Sequence, residues 1–463
     1  MSAAGAGTGA RPWLRSLCAL ALAAALAGGT GCWDRQEMEQ LAFVVSLGLD
    51  RGPHGDLLVT FRVLRPAGAA GGGGAGMGGG GGGGSGPPVV ETTVEAPSIM
   101  AAESLADTYF RRRVVLDQAA AIVIGLPLAE AGVTPYLDEL VRHREVRRTA
   151  LLLVGEPTAE STIEKTQPPL DTNPVSFIQD LRHVQETEGW LPPSTLQSFA
   201  QGVESSTGDA VAALTSVSPQ AQSGALLDQP LAPGEPPYSV APQRLPRTGS
   251  GNPVNVMGAV AFRDARAVGT LTGAQTVILN MINGHLGRTV FTLPDPYRPS
   301  ATDNIILAAT RKPKVLVDPL RAGPRIKVEV PLEASVEFDA GPVDYALDAT
   351  GRARLERALQ QDLSAQADAL FTLARSRWQA DIFGFGNHVR GRFWTRGALA
   401  RYNWFAQYPK ASADMVFEVE LNLVGPQLHP PVPGRSVAGS QTADNGPDRT
   451  GQPAASSSAG AHP

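Results

Sequence analysis

The chain has very few cysteines and no long apolar run near its start, and both absences limit what it can be. Only two of its 463 residues are cysteine, Cys18 and Cys32, which excludes a framework of several disulfides. The N-terminal apolar stretch from Leu17 to Leu26 has about ten residues, whereas a helix that spans a bilayer needs roughly 20. This stretch therefore predicts something other than a membrane span.

Motifs that mark common enzyme classes are also missing. The seven histidines show neither HxxxH nor HExxH spacing, and there is no CxxC pair and no GxSxG nucleophile elbow. No GxxxxGKS or GxxxxGKT pattern follows a strand run, and no Rossmann glycine fingerprint joins a strand to a helix. We therefore predict that the chain is not an enzyme and binds no cofactor or metal. Its formal net charge of −5 argues against a nucleic-acid-binding protein.

The N-terminus has the features of a bacterial lipoprotein signal. Arg11 and Arg15 form a positively charged region, the apolar stretch follows, and the small residues 28–31 come directly before Cys32. Gly29 departs from this pattern, because such signals normally carry leucine three positions before the cysteine. The arrangement predicts Cys32 as the site of lipid attachment.

Cleavage before Cys32 would leave a chain with one thiol. Cys18 is lost with residues 1–31, so the mature chain cannot form an internal disulfide, and a free thiol is a liability in an oxidising compartment. A diacylglyceryl group would occupy this thiol, and together with an acyl chain added to the amino group of Cys32 it would hold the protein on a membrane surface. Loss of Arg11 and Arg15 changes the net charge from −5 to −7. The open alternative is a secreted protein cleaved elsewhere, with the thiol free.

Three low-complexity segments divide the chain into two folded parts. The glycine-rich residues 67–86 are predicted as a flexible insertion, since glycine has high backbone entropy and no side chain to bury. Composition also predicts a flexible linker at 216–253 and a disordered tail at 427–463. The folded parts are then an N-terminal domain at 32–215 and a C-terminal domain at 254–426.

The N-terminal part mixes strands with helices and is predicted as mixed α/β. Apolar, β-rich runs predict strands at 41–49, 57–64, 120–125, 149–154 and 210–217. Capping residues predict helix starts at Ser98, Thr134, Asn173 and Ser194. The helix that follows Ser98 is expected to bury Ile99, Ala102, Leu105 and Tyr109.

The C-terminal part shows the clearest periodicity and is predicted as α+β. Alternating apolar residues from Ile326 to Phe338 and from Met415 to Leu423 predict strands with one buried face in a largely antiparallel sheet. Residues 256–262 and 267–271 are predicted as a hairpin. Pro331 would suit an edge strand or a bulge.

A long amphipathic helix is predicted from about Gly351 to Gln379 and would cover this antiparallel sheet. It runs into Asp381-Ile382-Phe383-Gly384-Phe385-Gly386, where two glycines permit a sharp turn. The hydrophobic residues of this turn either pack between helix and sheet or contact a partner. The apolar stripe of the helix comprises Leu355, Leu359, Leu363, Ala367, Leu370, Phe371, Ala374 and Trp378.

Two groups of arginines are candidate contacts with anionic lipid headgroups near the anchor. The alternative is a solvated helix end in which the arginines form ion pairs with Asp138, Glu139 and Glu145. The denser group comprises Arg142, Arg144, Arg147 and Arg148, and the second group is Arg111–Arg113.

Several of these segments occur together in one known family. Their order and spacing across most of residues 32–424 closely resemble the Ger(x)C family of spore germination lipoproteins. The resemblance depends above all on Cys32-Trp33-Asp34-Arg35 and on the Asp381 to Gly386 segment. Further matching segments are Glu37, the strand 41–50, Val123-Ile124-Gly125 through Arg142, Glu145-Val146-Arg147, Trp394, Trp404 and Phe405.

The resemblance implies a C-type subunit of a nutrient-germinant receptor. Such a subunit would be held by its lipid on the outer face of the inner spore membrane. It would act through contacts with two integral membrane partners, an A-type and a B-type subunit. The family fold consists of mixed α/β domains. The alternative that stays open is an extracytoplasmic lipoprotein that itself binds a small solute or a cell-wall component.

Overall fold

A computed structural model describes residues 37–65, 89–167, 174–218, 237–245, 251–320, 322–338 and 348–422, together with residues 13, 343 and 345. Cys32, the insertion at 67–86 and the tail at 427–463 lie outside the described residues, as does the signal peptide apart from residue 13. No described helix is both long enough and apolar enough to cross a bilayer.

The first large unit is a nine-stranded sheet. Its strands are β1 (Leu41–Arg51), β2 (Leu57–Leu64), β3 (Val89–Ala96), β4 (Arg113–Val115), β5 (Ala121–Gly125), β6 (Leu151–Glu156), β7 (Val211–Val217), β8 (Val254–Arg263) and β9 (Arg266–Leu271). They follow the order β3-β2-β1-β5-β6-β7-β8-β9, and β4 pairs with the start of β1. The central strands β1, β5, β6 and β7 are parallel, and antiparallel pairs flank them.

Helices connect the strands of this sheet. Ser98 caps the first of them as predicted, since its side chain accepts a hydrogen bond from the Ala101 N–H. The last begins one residue later than predicted, because Thr195 and not Ser194 is its cap. The helices are α1 (Ile99–Phe110), α2 (Leu126–Ala131), α3 (Thr134–Arg142), α4 (Ala159–Lys165), α5 (Pro174–Thr187) and α6 (Leu196–Glu204).

The predicted apolar stripe of α1 is wrong at two positions. Ile99 and Ala102 are buried, but Leu105 and Tyr109 are exposed and Ala106 is buried instead. With 3.6 residues per turn, Ala106 returns to the side of Ile99, whereas Leu105 lies about 120° away around the helix.

The second unit is a five-stranded sheet. Its strands are β10 (Arg288–Pro294), β11 (Thr302–Ala309), β12 (Lys314–Asp318), β13 (Arg325–Phe338) and β14 (Ser412–Leu421). The order is β10-β11-β13-β12, and β14 pairs with β13. The sheet is largely antiparallel, as predicted, but β13 and β14 are parallel. This parallel pair is possible because a long helical connection separates the two strands in the chain.

The long helix covers the second sheet, and the predicted fold class is confirmed. The helices here are α7 (Gly273–Asn283), α8 (Ala349–Thr372), α9 (Arg396–Tyr402) and α10 (Trp404–Gln407). All eight residues of the predicted stripe on α8 and its continuation are buried. The side chains of Ser364 and Glu356 also bond the β14 backbone, at the Met415 carbonyl (3.2 Å) and the Leu421 N–H (3.0 Å).

Pro331 is not on an edge strand, because β13 is paired on both sides. The proline fits for another reason. On the side away from β14, pairing with β12 ends at Glu329 and pairing with β11 begins at Leu332. Pro331 therefore falls between two ladders, where a missing N–H costs no hydrogen bond.

The hairpin of β8 and β9 joins the two units. It is confirmed as a hairpin, and it pairs with β7, so it extends the first sheet. Alternate residues of β8 face different cores: Val260 and Phe262 pack with the first sheet, while Ala259 and Ala261 pack with the second. The predicted boundary at 216–253 thus lies between two strands of one sheet.

Part of the predicted flexible linker is packed. Residues 237–245 contain two short 3-10 turns, and Tyr238 is buried. Its ring stacks on Trp190 at a centroid distance of 6.0 Å, and its hydroxyl accepts a hydrogen bond from the Thr292 N–H (3.1 Å). The aromatic ring explains this order, because it brings a large apolar area into the interior.

Candidate functional site at the Asp381 turn

The end of α8 leads into the turn that the sequence singled out. The helix continues as a π-helical segment, Leu373–Trp378, and Gln379 then adopts a left-handed conformation with φ of 53°. Trp378 lies directly on Gly269 of β9, where a Cβ atom would be 2.2 Å from the indole Nε1. The glycine therefore permits the close contact that fixes where the helix ends.

Asp381 is fully buried and organises the turn. Its carboxylate accepts hydrogen bonds from the N–H groups of Phe385 (3.1 Å) and Gly386 (2.9 Å). It also accepts one from the indole Nε1 of Trp404 (2.9 Å). Three donors converging on one buried carboxylate are a strong local constraint, because charge-assisted hydrogen bonds are stronger than neutral ones.

The two glycines of the turn are each required by the geometry. Gly384 has a positive φ of 64°, a conformation that L side chains rarely adopt. At Gly386 a Cβ atom would lie 2.2 Å from the Thr207 carbonyl oxygen and 2.6 Å from Trp404 Nε1. The turn thus admits no side chain at Gly386 unless the neighbouring backbone shifts.

The aromatic residues of the turn pack into the second core, which confirms the first of the two interpretations. Phe383 and Phe385 are buried and stack with a centroid distance of 5.0 Å and an interplanar angle of 16°. Phe371 of α8 contacts both rings, and Tyr408 meets it edge-on at 6.1 Å. The hydrophobic side chains of this turn therefore serve mainly to pack the second core.

The turn also binds the segment that leads into β7. The N–H of Asp381 donates to Asp209 Oδ2 (2.7 Å), and the N–H of Asp209 donates to the Asp381 carbonyl (3.0 Å). Nearby, the Thr207 hydroxyl donates to the Asn387 side-chain oxygen (2.8 Å) and accepts from Arg390 Nε (3.2 Å). These bonds connect the first sheet to the second across more than 170 residues of sequence.

Burial alters the proton affinity of both carboxyl groups. It raises the pKa of Asp209 to about 7, with a smaller contribution from the neighbouring Asp381 charge. Burial also raises the pKa of Asp381 to about 6, against its hydrogen bonds from N–H groups, which favour the ionised form. The junction is therefore sensitive to pH near neutrality.

An open cleft of about 820 Å3 lies beside the turn, between the two units. Its walls include Asp209, His285, Lys312, Phe383 and Arg390. The lining is mixed in charge and offers both donors and acceptors. Among the described residues no group of three or more histidine, cysteine, aspartate or glutamate side chains is placed to hold a metal ion.

The arginine groups are placed partly as the ion-pair interpretation predicts. Arg142 pairs with Asp138 (2.9 Å), and Arg113 pairs with Glu145 (2.6 Å). Within the described part of the chain Glu139 forms no ion pair with an arginine, and it instead accepts hydrogen bonds from the N–H groups at the start of α1. Arg144, Arg147 and Arg148 are exposed, and Arg148 reaches Gln197 (3.2 Å).

Sequence reasoning missed the acceptor role of Asp381 and the whole of its partner segment. Thr207 and Asp209 lie in a short polar stretch before β7, with no spacing that marks a site. The one available signal was an aspartate directly before an apolar, glycine-containing turn. A polar residue in such a place is buried only if backbone donors satisfy it.

We expect Asp381→Asn to lower the free energy of unfolding by about 3 kcal/mol. The side-chain amide of asparagine has an NH2 group where aspartate has an acceptor oxygen. This NH2 group would face N–H groups that now donate to the carboxylate, and at least one buried donor would be left unpaired. Asp209→Asn is the matched control, because its remaining amide oxygen can still accept the Asp381 N–H. Urea unfolding at about pH 8, where Asp381 is ionised, measures both variants. Equal, small losses in the two would contradict the role assigned to Asp381.

The pKa of Asp209 predicts a pH dependence that Asp209→Asn removes. Between about pH 4 and 7 the folded protein holds a proton on Asp209 that the unfolded chain releases, so this group stabilises the wild type at low pH. That contribution is lost as the pH rises through about 7. The free energy of unfolding of Asp209→Asn minus that of wild type should therefore increase from about pH 4 to about pH 7 and stay constant above this range. Urea unfolding over a pH series measures the difference, and a constant difference would refute the assignment.

Two family models match the chain. A model described as "Spore germination protein N-terminal domain" matches residues 34–217, and one described as "Spore germination B3/ GerAC like, C-terminal" matches residues 257–425. Together they span about three quarters of the sequence. The two matches divide the chain at nearly the same place as the composition does.

The chain is also similar to individual germination proteins. Spore germination protein KC of Bacillus subtilis (strain 168) is 23% identical over 406 residues, covering 86% of this chain and 93% of that protein. Putative spore germination protein YfkR of the same organism is 28% identical over 152 residues, covering 33% of this chain and 38% of that protein. The crystal structure of the GerBC protein is 15% identical, with a TM-score of 0.45, covering 81% of this chain and 96% of that chain.

These matches cover both folded parts and agree with the prediction of a non-enzymatic protein. They also confirm the resemblance drawn from the segments at Cys32 and Asp381. The chain therefore belongs to the GerAC-like family of spore germination proteins.

Proposed function

We propose that the chain is a lipid-anchored subunit of a spore nutrient-germinant receptor. Its lipid would be attached to Cys32 and would hold it on the outer face of the inner spore membrane. It would act through contacts with an A-type and a B-type integral membrane subunit, and it would carry out no chemical reaction itself.

The observation that carries this proposal is family membership over both folded parts. The N-terminal sequence supports the anchor, because a charged region, a short apolar stretch and four small residues precede Cys32. The first strand, β1, begins at Leu41, nine residues after Cys32. A lipid on that cysteine would thus be followed by a short tether and then by the fold.

A second candidate function has one observation in its favour. The cleft beside the Asp381 turn is large enough for a small solute and presents charged groups of both signs, among them Lys312 and Asp209. A lipoprotein that binds a solute by itself would use such a cleft. The receptor-subunit function is preferred because family membership over most of the chain supports it.

Fatty-acid labelling with membrane fractionation of Cys32→Ala tests the anchor. Wild type should take up the label and stay with the membrane, whereas Cys32→Ala should take up none and be released, because no other cysteine remains after cleavage. Cys18→Ala is the matched control and should behave as wild type, since Cys18 lies in the predicted signal. Equal label and retention in Cys32→Ala and wild type would reject the anchor.

The same membranes separate the two candidate functions. Detergent extraction of wild type should co-isolate the A-type and B-type subunits. Saturable micromolar binding of a germinant to purified Cys32→Ala protein, without co-isolation of membrane subunits, would instead favour the solute-binding protein.

A further inference from the structure

The segment after the Asp381 turn has a charge unlike the rest of the chain. From residue 382 to residue 413 there is no aspartate or glutamate, although the chain as a whole carries a formal charge of −5. Four exposed arginines lie in the first part of this segment: Arg390, Arg392, Arg396 and Arg401. The described residues form no salt bridge with Arg392, Arg396 or Arg401. The segment is therefore positively charged, and Asp318 of β12 is an acidic neighbour near Tyr402, toward the C-terminal end of the segment.

The same segment holds a tryptophan outside the fold. Trp394 is completely exposed, at 101% of its reference area. Its neighbour Phe393 packs on the second core and lies 5.2 Å from the Tyr402 ring, and Thr395 caps α9 by accepting the Ala398 N–H. Ordered residues on both sides thus hold Trp394 in water. An exposed tryptophan among arginines is a combination found where proteins meet the membrane interface.

The topology places this segment at the end of the first sheet where β1 begins, which is the strand that follows Cys32 in the chain. Arg390 bonds Thr207, four residues before β7. Because β1, β5, β6 and β7 are parallel neighbours, the starts of β1 and β7 lie at one edge of the sheet. The registers place Val211, the first residue of β7, level with Ser46 of β1, so three strand spacings and five residues along β1 separate the two starts, about 22 Å. Cys32 precedes β1 by nine residues, so its tether reaches about 30 Å at most.

We propose that residues 390–402, here called the basic-aromatic segment, bind the anionic phospholipid surface beside the anchor. Trp394 would enter the headgroup region, and Arg392, Arg396 and Arg401 would contact lipid phosphates, for which the guanidinium fork is suited. This inference rests on the proposed function, because the lipid on Cys32 brings the segment to the bilayer. The second contact would fix the orientation of the protein on the membrane, which a lipid on a tether alone cannot do.

The other arginine groups differ from this segment in their surroundings. Arg142 and Arg113 are paired with Asp138 and Glu145, so part of their charge is neutralised. Arg144, Arg147 and Arg148 are exposed but lie next to those acidic residues in sequence. They precede β6, so they lie at the same end of the sheet and provide a control with the same number of charges beside acidic residues.

Vesicle binding by the mature chain carrying Cys32→Ala tests the proposal without any lipid on the protein. We would measure co-sedimentation with vesicles of phosphatidylcholine alone and of equal parts phosphatidylcholine and phosphatidylglycerol. The protein should bind only the vesicles with phosphatidylglycerol, and added salt should weaken the binding. Removing three charges with Arg392→Gln, Arg396→Gln and Arg401→Gln should lower the partition coefficient on the order of a hundredfold.

The matched control replaces Arg144, Arg147 and Arg148 by glutamine and should change the partition coefficient far less. Trp394→Phe gives an independent test. Brominated lipids should quench the tryptophan fluorescence of the parent protein more than that of this variant. Circular dichroism confirms that each variant is folded. Equal losses in the two triple variants, equal binding to both vesicle types, or no binding by the parent protein would overturn the proposal, and the last result would point to a protein partner.

These results are separable from those on the anchor. Failure of lipid attachment would leave vesicle binding of Cys32→Ala protein unchanged. Failure of vesicle binding would leave fatty-acid labelling at Cys32 unchanged.

Discussion

A carboxylate that has no contact with water needs donors around it, and Asp381 obtains them from separate parts of the chain. Two come from its own turn and one from Trp404. Its backbone exchanges two hydrogen bonds with Asp209, in the segment that enters β7. Breaking any of these bonds would leave a buried polar group unpaired, at a cost of about 1–3 kcal/mol each. The geometry of the junction follows from this one requirement.

Much of the C-terminal half depends on the direction that this turn gives to the chain. The turn follows α8 and its π-helical continuation, which ends where Trp378 contacts Gly269. It is followed by α9 and α10. The chain then returns as β14, parallel to β13. The turn also keeps Phe383 and Phe385 in the core, so the surface presented outward is the basic-aromatic segment that follows. The packing of Phe383 and Phe385 in the core thus determines that the basic-aromatic segment is the part exposed to solvent.

The periodic elements could be predicted from the sequence because one buried face imposes a repeat. The α8 stripe from Leu355 to Trp378 is buried throughout, and so are the alternating apolar residues of β13 from Ile326 to Val336. The parallel direction of β14 could not be predicted, since alternation is the same in parallel and antiparallel strands with one covered face. The edge assignment of Pro331 failed because two partner strands share one side of β13.

The site was predicted only in part. The glycines and aromatics of the turn were visible as a motif, and their packing was one of two interpretations. The bond from Asp381 to Asp209 joins residues 172 positions apart, and no local pattern encodes such a pair. The exposure of Trp394 was equally hidden, because an aromatic residue between arginines is compatible with a core position as well as with a surface one. Lipid attachment at Cys32 stays a prediction.

Native-state hydrogen exchange in both sheets tests most directly whether the turn couples the two halves. Gly386→Ala should be compared with Gly391→Ala, where a Cβ atom meets nothing within 4 Å. We expect Gly386→Ala to lower the free energy of opening for amides of both β6 and β13, and Gly391→Ala to change neither by more than a few tenths of a kcal/mol. A loss confined to β13, with β6 protected as in wild type, would contradict the account.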